Sequence, residues 1–481
     1  MANVQQTLFW YDLETSGTDP RRDRIMQFAG QRTTLDLEKI GEPVNVMIKM
    51  PPDVLPQPDA IMITGITPQM TLTDGLTEVE FLKLFTEEVA TPGTIFVGFN
   101  TVRFDDEFMR FLHYRNFYDA YEWQWKDSRG RWDLLDVVRL TRALRPEGIE
   151  WPVVDGVASN RLELLTKANN ISHDGAHDAL SDVNACIDVA KLIKTKQPKL
   201  FGYMLSMRSK QKVAELVDKN EPFVYASGKY PTEFEKTSVV VKLTANPHAQ
   251  GSFVYDLRHD PTLFLKLTPA KLAERWRWTK DQEAPPRLPV KTLQYNRCPA
   301  VAPLSVLDTA SQKRIKIDLA LMAKHNDLLR EHPDFVRNVV SAVEILESER
   351  KEYSSPSPQD DERLYENFIG DEDRKLMSVM RAASPDEISE VAGDFRDERL
   401  RGIAPLYKAR NFPNILSETE RKQWEQYRYD MLMLGGMDSR LAKFMHRLQE
   451  LATETGGRGD KMFLLEELQL YAESIMPVAD V

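Results

Sequence analysis

The sequence predicts an α/β protein in three parts: strands alternating with helices up to about residue 200, a β-rich middle, and an all-helical end. Three observations predict it. Leu8–Thr15 is an apolar, aromatic run that stops at the turn signal Ser16-Gly17, and strand-like runs alternate with helix-spaced segments from there through Ala190. Val224 to Leu267 carries short β-rich runs, Ser238–Leu243 and Ser252–Leu257. Beyond Asp361 the chain reads as helix after helix. At 481 residues the chain has room for about three domains of roughly 150 residues each, and its 42% hydrophobic content is enough to build their cores.

The first strand matters most. Side chains alternate faces along a strand, so Asp12 and Glu14 point the same way. Two carboxylates side by side repel each other, and burying them costs free energy unless cations share the site. A solvated strand end would also tolerate such a pair. After the turn Gly17–Pro20, Ile25–Arg32 and Val44–Lys49 read as strands, and Pro51, Pro52, Pro56 and Pro58 break regular structure. The unit Ile61–Pro68 contains Thr64-Gly65-Ile66-Thr67, a loop that offers hydroxyls and close backbone approach, or simply a turn. Val79–Val89 has helical spacing.

Thr94–Phe99 is a short buried strand running into Asn100–Asp106, where a helix begins. Open α/β sheets place their sites at such strand ends, although Asp105 or Asp106 would also suit a plain helix N-terminus. Phe108–Trp132 interleaves Tyr114, Phe117, Tyr118, Tyr121, Trp123 and Trp125 with Arg110, Arg115, Lys126, Arg129 and Arg131. Most of these rings belong to a core, and two or three are expected to face a ligand beside a basic track. Asp133–Leu144 is an amphipathic helix, and Arg161–Leu165 starts another. Gly175 makes a turn, and a helix begins near Asp178 and runs through Ala190. His177 and Asp182 are five residues apart, about 140° on a helix, so His177 serves best from the loop while Asp182 projects from the helix.

Composition narrows the function. A mean hydropathy of -0.44 and the lack of a long apolar run exclude a membrane span. The first six residues have neither a basic nor an apolar signal region, so a cytoplasmic location is expected. Cys186 and Cys298 form no metal-ligand pattern and suit a reducing compartment. The net charge of -11 is uneven: Gly202 to Ala300 holds 16 Lys and Arg against 10 Asp and Glu, leaving -17 for the remainder. In that basic segment Lys266, Lys271, Arg275, Trp276, Arg277, Trp278 and Lys280 combine charge with rings that could track a nucleic-acid strand, or pack a core beneath solvated charges.

Asp12-x-Glu14, Asn100-x-x-x-Phe104-Asp105 and His177-x-x-x-x-Asp182, in order and each on its expected element, resemble the three motifs of the DEDDh 3′→5′ exonucleases. Ile63–Gln69, Val102–Glu107, Tyr114–Asp119, Arg131–Val137 and Ala143–Ile149 resemble the bacterial exonuclease I family in wording, most specifically over residues 1–210 and more thinly through Lys291–Pro299 and Lys408–Pro413. The resemblance implies a ribonuclease H-like exonuclease domain at 1–200, an SH3-like domain with flanking helices at 201–353, a linker at 354–362 and a helical domain at 363–481.

It also implies a metal-dependent enzyme that degrades single-stranded DNA from the 3′ end to nucleoside 5′-monophosphates in DNA repair and recombination. Asp12, Glu14, Asp105 and Asp182 would hold two ions, Mg²⁺ or Mn²⁺, with Asp12 bridging them, and His177 would be the general base. Glu14, Arg161, Thr64, Arg110, Tyr121 and Trp125 are the candidate substrate contacts. A monomer is expected. The acidic tail of single-stranded DNA-binding protein is an implied partner, with Arg145, Tyr203, Arg208, Lys210 and Lys212 as docking points. Two competing readings remain at this point: a DEDDh exonuclease acting on RNA, and a strand-binding scaffold with an idle site.

Overall fold

The computed structural model describes residues 4–173, 178–281, 283–353, 357–456 and 459–477. His177 lies outside them. The chain divides into two compact units that do not follow chain order. One unites Met1–Gly130, His173–Asn184 and Pro356–Val481, the other Arg131–Ser172 and Ala185–Ser355.

In the first unit β1 (Thr7–Thr15) runs between two partners. It pairs antiparallel with β2 (Ile25–Thr33) and parallel with β4 (Thr94–Gly98), and β2 pairs with β3 (Lys39–Met47), which starts earlier than its sequence pattern predicts. The alternation in β1 sorts its residues by chemistry. Phe9, Tyr11 and Leu13 enter a core with Phe28, Phe81, Phe85, Phe96 and Phe108. On the other face the buried Trp10 donates through Nε1 to Thr33 Oγ1 at 3.0 Å, and Asp12 and Glu14 continue that face to the end of the strand.

The prolines ahead of residue 58 leave the chain irregular, but Pro58 corrects the sequence reading: it opens α1 (Pro58–Thr64), where its missing N–H has no helical partner to lose. Gly65, at φ 72°, ends that helix, so the Thr64–Thr67 loop is a helix cap followed at once by α2 (Pro68–Asp74), whose first turn Thr67 caps. A capping box, Thr77 with Glu80, starts α3 (Glu78–Leu84), and a π turn extends it through Val89. Gly98 ends β4 where a Cβ would lie 2.7 Å from the Tyr11 carbonyl, so a larger residue would push β1 and β4 apart. Asn100 then takes a left-handed turn into α4 (Asp105–Arg115).

The second unit follows β5 (Gly130–Asp133) with α5 (Leu134–Leu144), capped by Asp133, then a two-residue hairpin of β6 (Val153–Val154) and β7 (Val157–Ala158). Arg161 is the N-cap of α6 (Leu162–Ala168), not its first turn. The next helix, α7 (Ala179–Lys196), runs past Ala190 and gives only its opening residues, through Asn184, to the first unit. Helices α8 (Pro198–Ser206) and α9 (Lys210–Val217) lead into the SH3-like sheet. Its strands β8 (Phe223–Ala226), β9 (Thr237–Ala245), β10 (Gly251–Asp256), β11 (Val290–Gln294) and β12 (Ala300–Pro303) pair antiparallel in the order β11-β10-β9-β8-β12 around Val240, Val254, Leu293 and Val301.

Back in the first unit, the C-terminal helices clothe the strand layer in two places. Leu432, Phe444, Leu448, Leu465, Leu468 and Tyr471 pack on Met26, Met50, Ile61 and Ile66. Met377, Met380, Phe395, Leu400 and Tyr407 pack on Phe111, Tyr114 and Phe117 of α4 and the turn after it. Burial of each large side chain contributes about 1.5–3 kcal/mol, so these helices are an integral wall of the unit. Asp360–Glu362, within the segment read as linker, is a short 3-10 turn with Asp361 and Glu362 buried.

Candidate active site

The site begins where β1 runs out. Carboxylate oxygens of Asp12, Glu14 and Asp182 lie within 4.8 Å of one another. Asp182 arrives from the first turn of α7, which Asp178 caps: its Oδ2 accepts from Ser181 N at 3.1 Å and its carbonyl from Asp182 N at 3.0 Å. Asp105 is the first residue of α4 and is buried. The structure separates it from its neighbour: Asp106 Oδ1 accepts from the Tyr11 hydroxyl at 2.7 Å, on the core face of β1. Asp105 bears on Asp12 and Glu14 instead, and its charge raises the proton affinity of both.

The charges that act on Asp12 and Glu14 among the described residues are those of other carboxylates. Burial, then the charges of Asp105, Asp182, Glu14 and Asp178, hold Asp12 well above the usual carboxylate range. Burial, then Asp182, Asp105 and Asp178, push Glu14 up to about 8. All donors are hard oxygens, the set that Mg²⁺ and Mn²⁺ prefer, and divalent cations placed among them would reverse both shifts. The donor set therefore fits divalent cations of this kind.

Two residues beside the site escaped sequence reasoning. His173 Nε2 is hydrogen-bonded to Asp182 Oδ1. Gln27, opposite Glu14 in the β1–β2 register, donates from Nε2 to Asp178 Oδ1 at 3.3 Å and to Asn45 Oδ1 at 2.9 Å. Nothing in the local sequence marks either one. The Gln27 contact with Asp178 exists only once β2 meets the start of α7, and the His173 contact only once α7 turns Asp182 toward it.

The predicted substrate residues divide between the units. In the first, Thr64 is half-buried at the end of α1, where its Oγ1 accepts from Ile66 N. Arg110, on α4, is held by Glu107 at 2.6 Å and Gln124 at 3.2 Å, with its guanidinium 5.4 Å from the centre of the Tyr121 ring. Tyr121 and Trp125 line a groove of about 570 Å³ together with Tyr365 and Phe368, and Trp125 is 61% and Phe368 94% exposed. The last two rings went unnoticed because they lie 240 residues or more along the chain from Trp125. The interleaved aromatics sort as expected: Tyr114, Phe117 and Trp123 are buried, while Trp125 projects.

In the second unit Arg161 is exposed and ion-paired with Glu163. Arg145 donates to the Val306 carbonyl at 2.8 Å and pairs with Asp308 at 3.2 Å, Tyr203 donates to the Val301 carbonyl, Arg208 to the Leu205 carbonyl, Lys210 to Gln250, and Lys212 is exposed. The two tryptophans of the basic segment part company. Trp276 packs edge-on against Phe253, and Trp278 is 67% exposed.

Fold and site together define an exonuclease of the ribonuclease H-like class whose carboxylates call for metal ions. Comparison with known proteins carries this further. Residues 9–190 match the exonuclease family model, 208–343 the exonuclease I SH3-like domain and 359–475 the exonuclease I C-terminal domain. Exodeoxyribonuclease I of Escherichia coli is 39% identical over 477 residues, with 98% of each chain covered. Two solved structures overlay along 98% of this chain and all of theirs: E. coli exonuclease I in complex with a dA16 oligonucleotide, at a TM-score of 0.93 and 38% identity, and exonuclease I of Methylocaldum szegediense, at 0.91 and 41%. Further matching structures are a zinc-ion-bound complex of E. coli exonuclease I with single-stranded DNA, and SSB/exonuclease I in complex with the inhibitor CFAM. Human mitochondrial oligoribonuclease matches 24% of the chain at 30% identity. The chain belongs to the exonuclease I family.

Proposed function

We propose that the chain removes nucleoside 5′-monophosphates one after another from the 3′ end of single-stranded DNA, in the cytoplasm and as a monomer. The observation that carries the reading is the convergence of Asp12, Glu14 and Asp182 within 4.8 Å, with Asp105 raising the proton affinity of the first two. Asp12, Glu14, Asp105 and Asp182 would hold two divalent ions, Mg²⁺ or Mn²⁺. Such ions supply Lewis acidity to the phosphate and charge neutralisation at the departing 3′ oxygen.

The remaining chemistry belongs to the chain's own side chains. His177 takes the proton from the attacking water, a task suited to an imidazole, the side chain that changes charge near neutral pH. His173 holds the Asp182 carboxylate in place, and Gln27 steadies Asp178 at the start of α7. Tyr121, Trp125, Tyr365 and Phe368 offer stacking faces to successive bases, with Arg110 beneath Tyr121. Glu14, Thr64 and Arg161 complete the substrate contacts. The acidic tail of single-stranded DNA-binding protein docks at Arg145, Tyr203, Arg208, Lys210 and Lys212, a reading supported by the SSB/exonuclease I structure that this chain matches. An RNA substrate is disfavoured, because the relatives that share the whole length are exodeoxyribonucleases.

The test is a gel time course on four matched substrates, each with Mg²⁺ and with chelator: 5′-labelled single-stranded DNA, its blunt duplex, a 3′-blocked copy and the equivalent RNA. Metal-dependent shortening of the free-ended single-stranded DNA alone is expected. Rapid loss of RNA overturns the substrate assignment, and binding without cleavage overturns the enzyme reading.

A further inference from the structure

Six charged side chains that the site does not use are buried together in the first unit. The Arg24 guanidinium lies 3.5 Å from Asp361 Oδ2 and 3.8 Å from Glu78 Oε1. Arg410 donates from Nη1 to Asp361 at 2.8 Å and from Nη2 to Asp53 at 2.6 Å, and Arg115 donates from Nη2 to Glu78 at 3.2 Å. The side chains are between 1% and 11% exposed. Three guanidinium groups against three carboxylates make the cluster neutral, and despite their burial Glu78 and Asp361 are held below the ordinary carboxylate range by the arginines around them.

Such a cluster is a poor way to gain stability. Each ion costs several kcal/mol to desolvate, and well-packed apolar residues of similar volume often serve as well or better. What guanidinium–carboxylate pairs supply is direction, because the planar fork fixes where its partners sit. The partners here converge on one loop. Ser16–Arg24 leaves β1 two residues after Glu14. Its ends are locked to each other, with Ser16 N donating to the Arg24 carbonyl and Arg24 N to Ser16 Oγ, both at 2.8 Å. Arg115 also donates to the Pro20 carbonyl of the loop at 3.3 Å, and Arg22 reaches Glu362 at 3.2 Å. Asp361, Glu362 and Arg410 all come from the C-terminal segment, more than 330 residues away in sequence.

We propose that this ion cluster is a positioning device for the metal-binding strand: through Arg24, the C-terminal segment's Asp361 and Arg410 fix the exit of β1 and thereby the placement of Asp12 and Glu14. Asp361 and Arg410 then contribute to catalysis without touching substrate. The inference rests on the metal-site reading above.

The experiment uses the full-length protein. Neutralising Asp361 alone would leave a buried cation unpaired, so the decisive variant is Arg24→Gln/Asp361→Asn, which is again neutral. Glu372→Gln, an exposed partner of Arg396, is the control. Three quantities are compared with wild type: the unfolding temperature, Mn²⁺ binding to the DNA-free protein by titration calorimetry, and kcat and KM for single-stranded DNA across Mg²⁺ concentration. The double variant is expected to fold, to bind Mn²⁺ about 10- to 100-fold more weakly, and to lose kcat at limiting Mg²⁺, with recovery at high Mg²⁺ and KM for DNA kept within about twofold of wild type. Unchanged Mn²⁺ binding and kcat in a folded double variant would overturn the proposal. So would a double variant that does not fold, since the cluster would then be a stability device. If wild type itself binds no Mn²⁺ that Asp12→Ala abolishes, the metal-site reading is what has failed.

Discussion

The first unit buries charge twice, in opposite ways. At the end of β1, the charges that bear on Asp12 and Glu14 among the described residues are all carboxylates, and Glu14 is pushed up to about 8. In the ion cluster, carboxylates are matched one for one by guanidinium groups, and Glu78 and Asp361 are held down. Glu14 and Glu78 are the same residue type at similar depth, yet they titrate in opposite directions. The difference teaches which cluster is waiting for something. A balanced set is complete within the protein; an unbalanced one has its counter-charge supplied from outside.

The largest expected effect breaks the unbalanced cluster. Asp12→Ala should cut cleavage by about 10³-fold or more with DNA binding largely kept, checked by single-turnover kinetics beside a filter-binding titration; near-normal turnover would remove Asp12 from the ligands. His177→Ala comes next, with a rate loss of about 10²- to 10⁴-fold and Mn²⁺ binding retained. Unchanged kinetics near neutral pH would exclude His177 from the chemistry.

Breaking the balanced cluster should act on stability. Asp53→Ala leaves Arg410 half-paired in the interior, and a loss of about 3–5 kcal/mol is expected in denaturant unfolding. A loss under about 1 kcal/mol would mean the pair is weakly coupled to folding.

The pH dependences should also oppose each other. Glu14 binds its proton more tightly folded than unfolded, so in chelator the native state carries the extra proton between the ordinary carboxylate range and about 8, and stability falls as pH rises through that window. Mg²⁺ should therefore raise the unfolding temperature more at pH 8.5 than at pH 6. Glu78 and Asp361 bind theirs less tightly folded, so their contribution is present above the ordinary carboxylate range and is lost as pH falls below it. Melting curves across pH, with and without Mg²⁺, separate the two; a metal shift independent of pH would contradict the Glu14 assignment. The smallest effect lies outside both clusters. Trp125→Ala should weaken single-stranded DNA binding by about 1–3 kcal/mol while leaving turnover at saturating DNA intact. If binding is unchanged, the 570 Å³ groove is not on the strand's path.

Much of this was legible in the sequence because it is local. The alternation in Leu8–Thr15 placed Asp12 and Glu14 on one face, the strand-to-helix passage offered Asp105 or Asp106, and the resemblance of the three motifs singled out Asp105 and Asp182. The three-part order of exonuclease, SH3-like and helical regions followed from runs of a few residues each. Pro58 was misread because a proline that breaks one helix also begins another well, and only the backbone around it tells which.

By itself, then, the sequence determined that Asp12 and Glu14 share one face at the end of β1, since the period of a strand is set by backbone geometry within a few residues. The tertiary structure alone decided the rest. It turned Asp105 toward the site and Asp106 toward Tyr11, packed Trp276 against Phe253 and left Trp278 out, set His173 on Asp182, and joined Arg24 to Arg410 through Asp361. Those outcomes depend on what packs against each side chain from elsewhere in the chain, and a buried charge has no signature until its partner arrives.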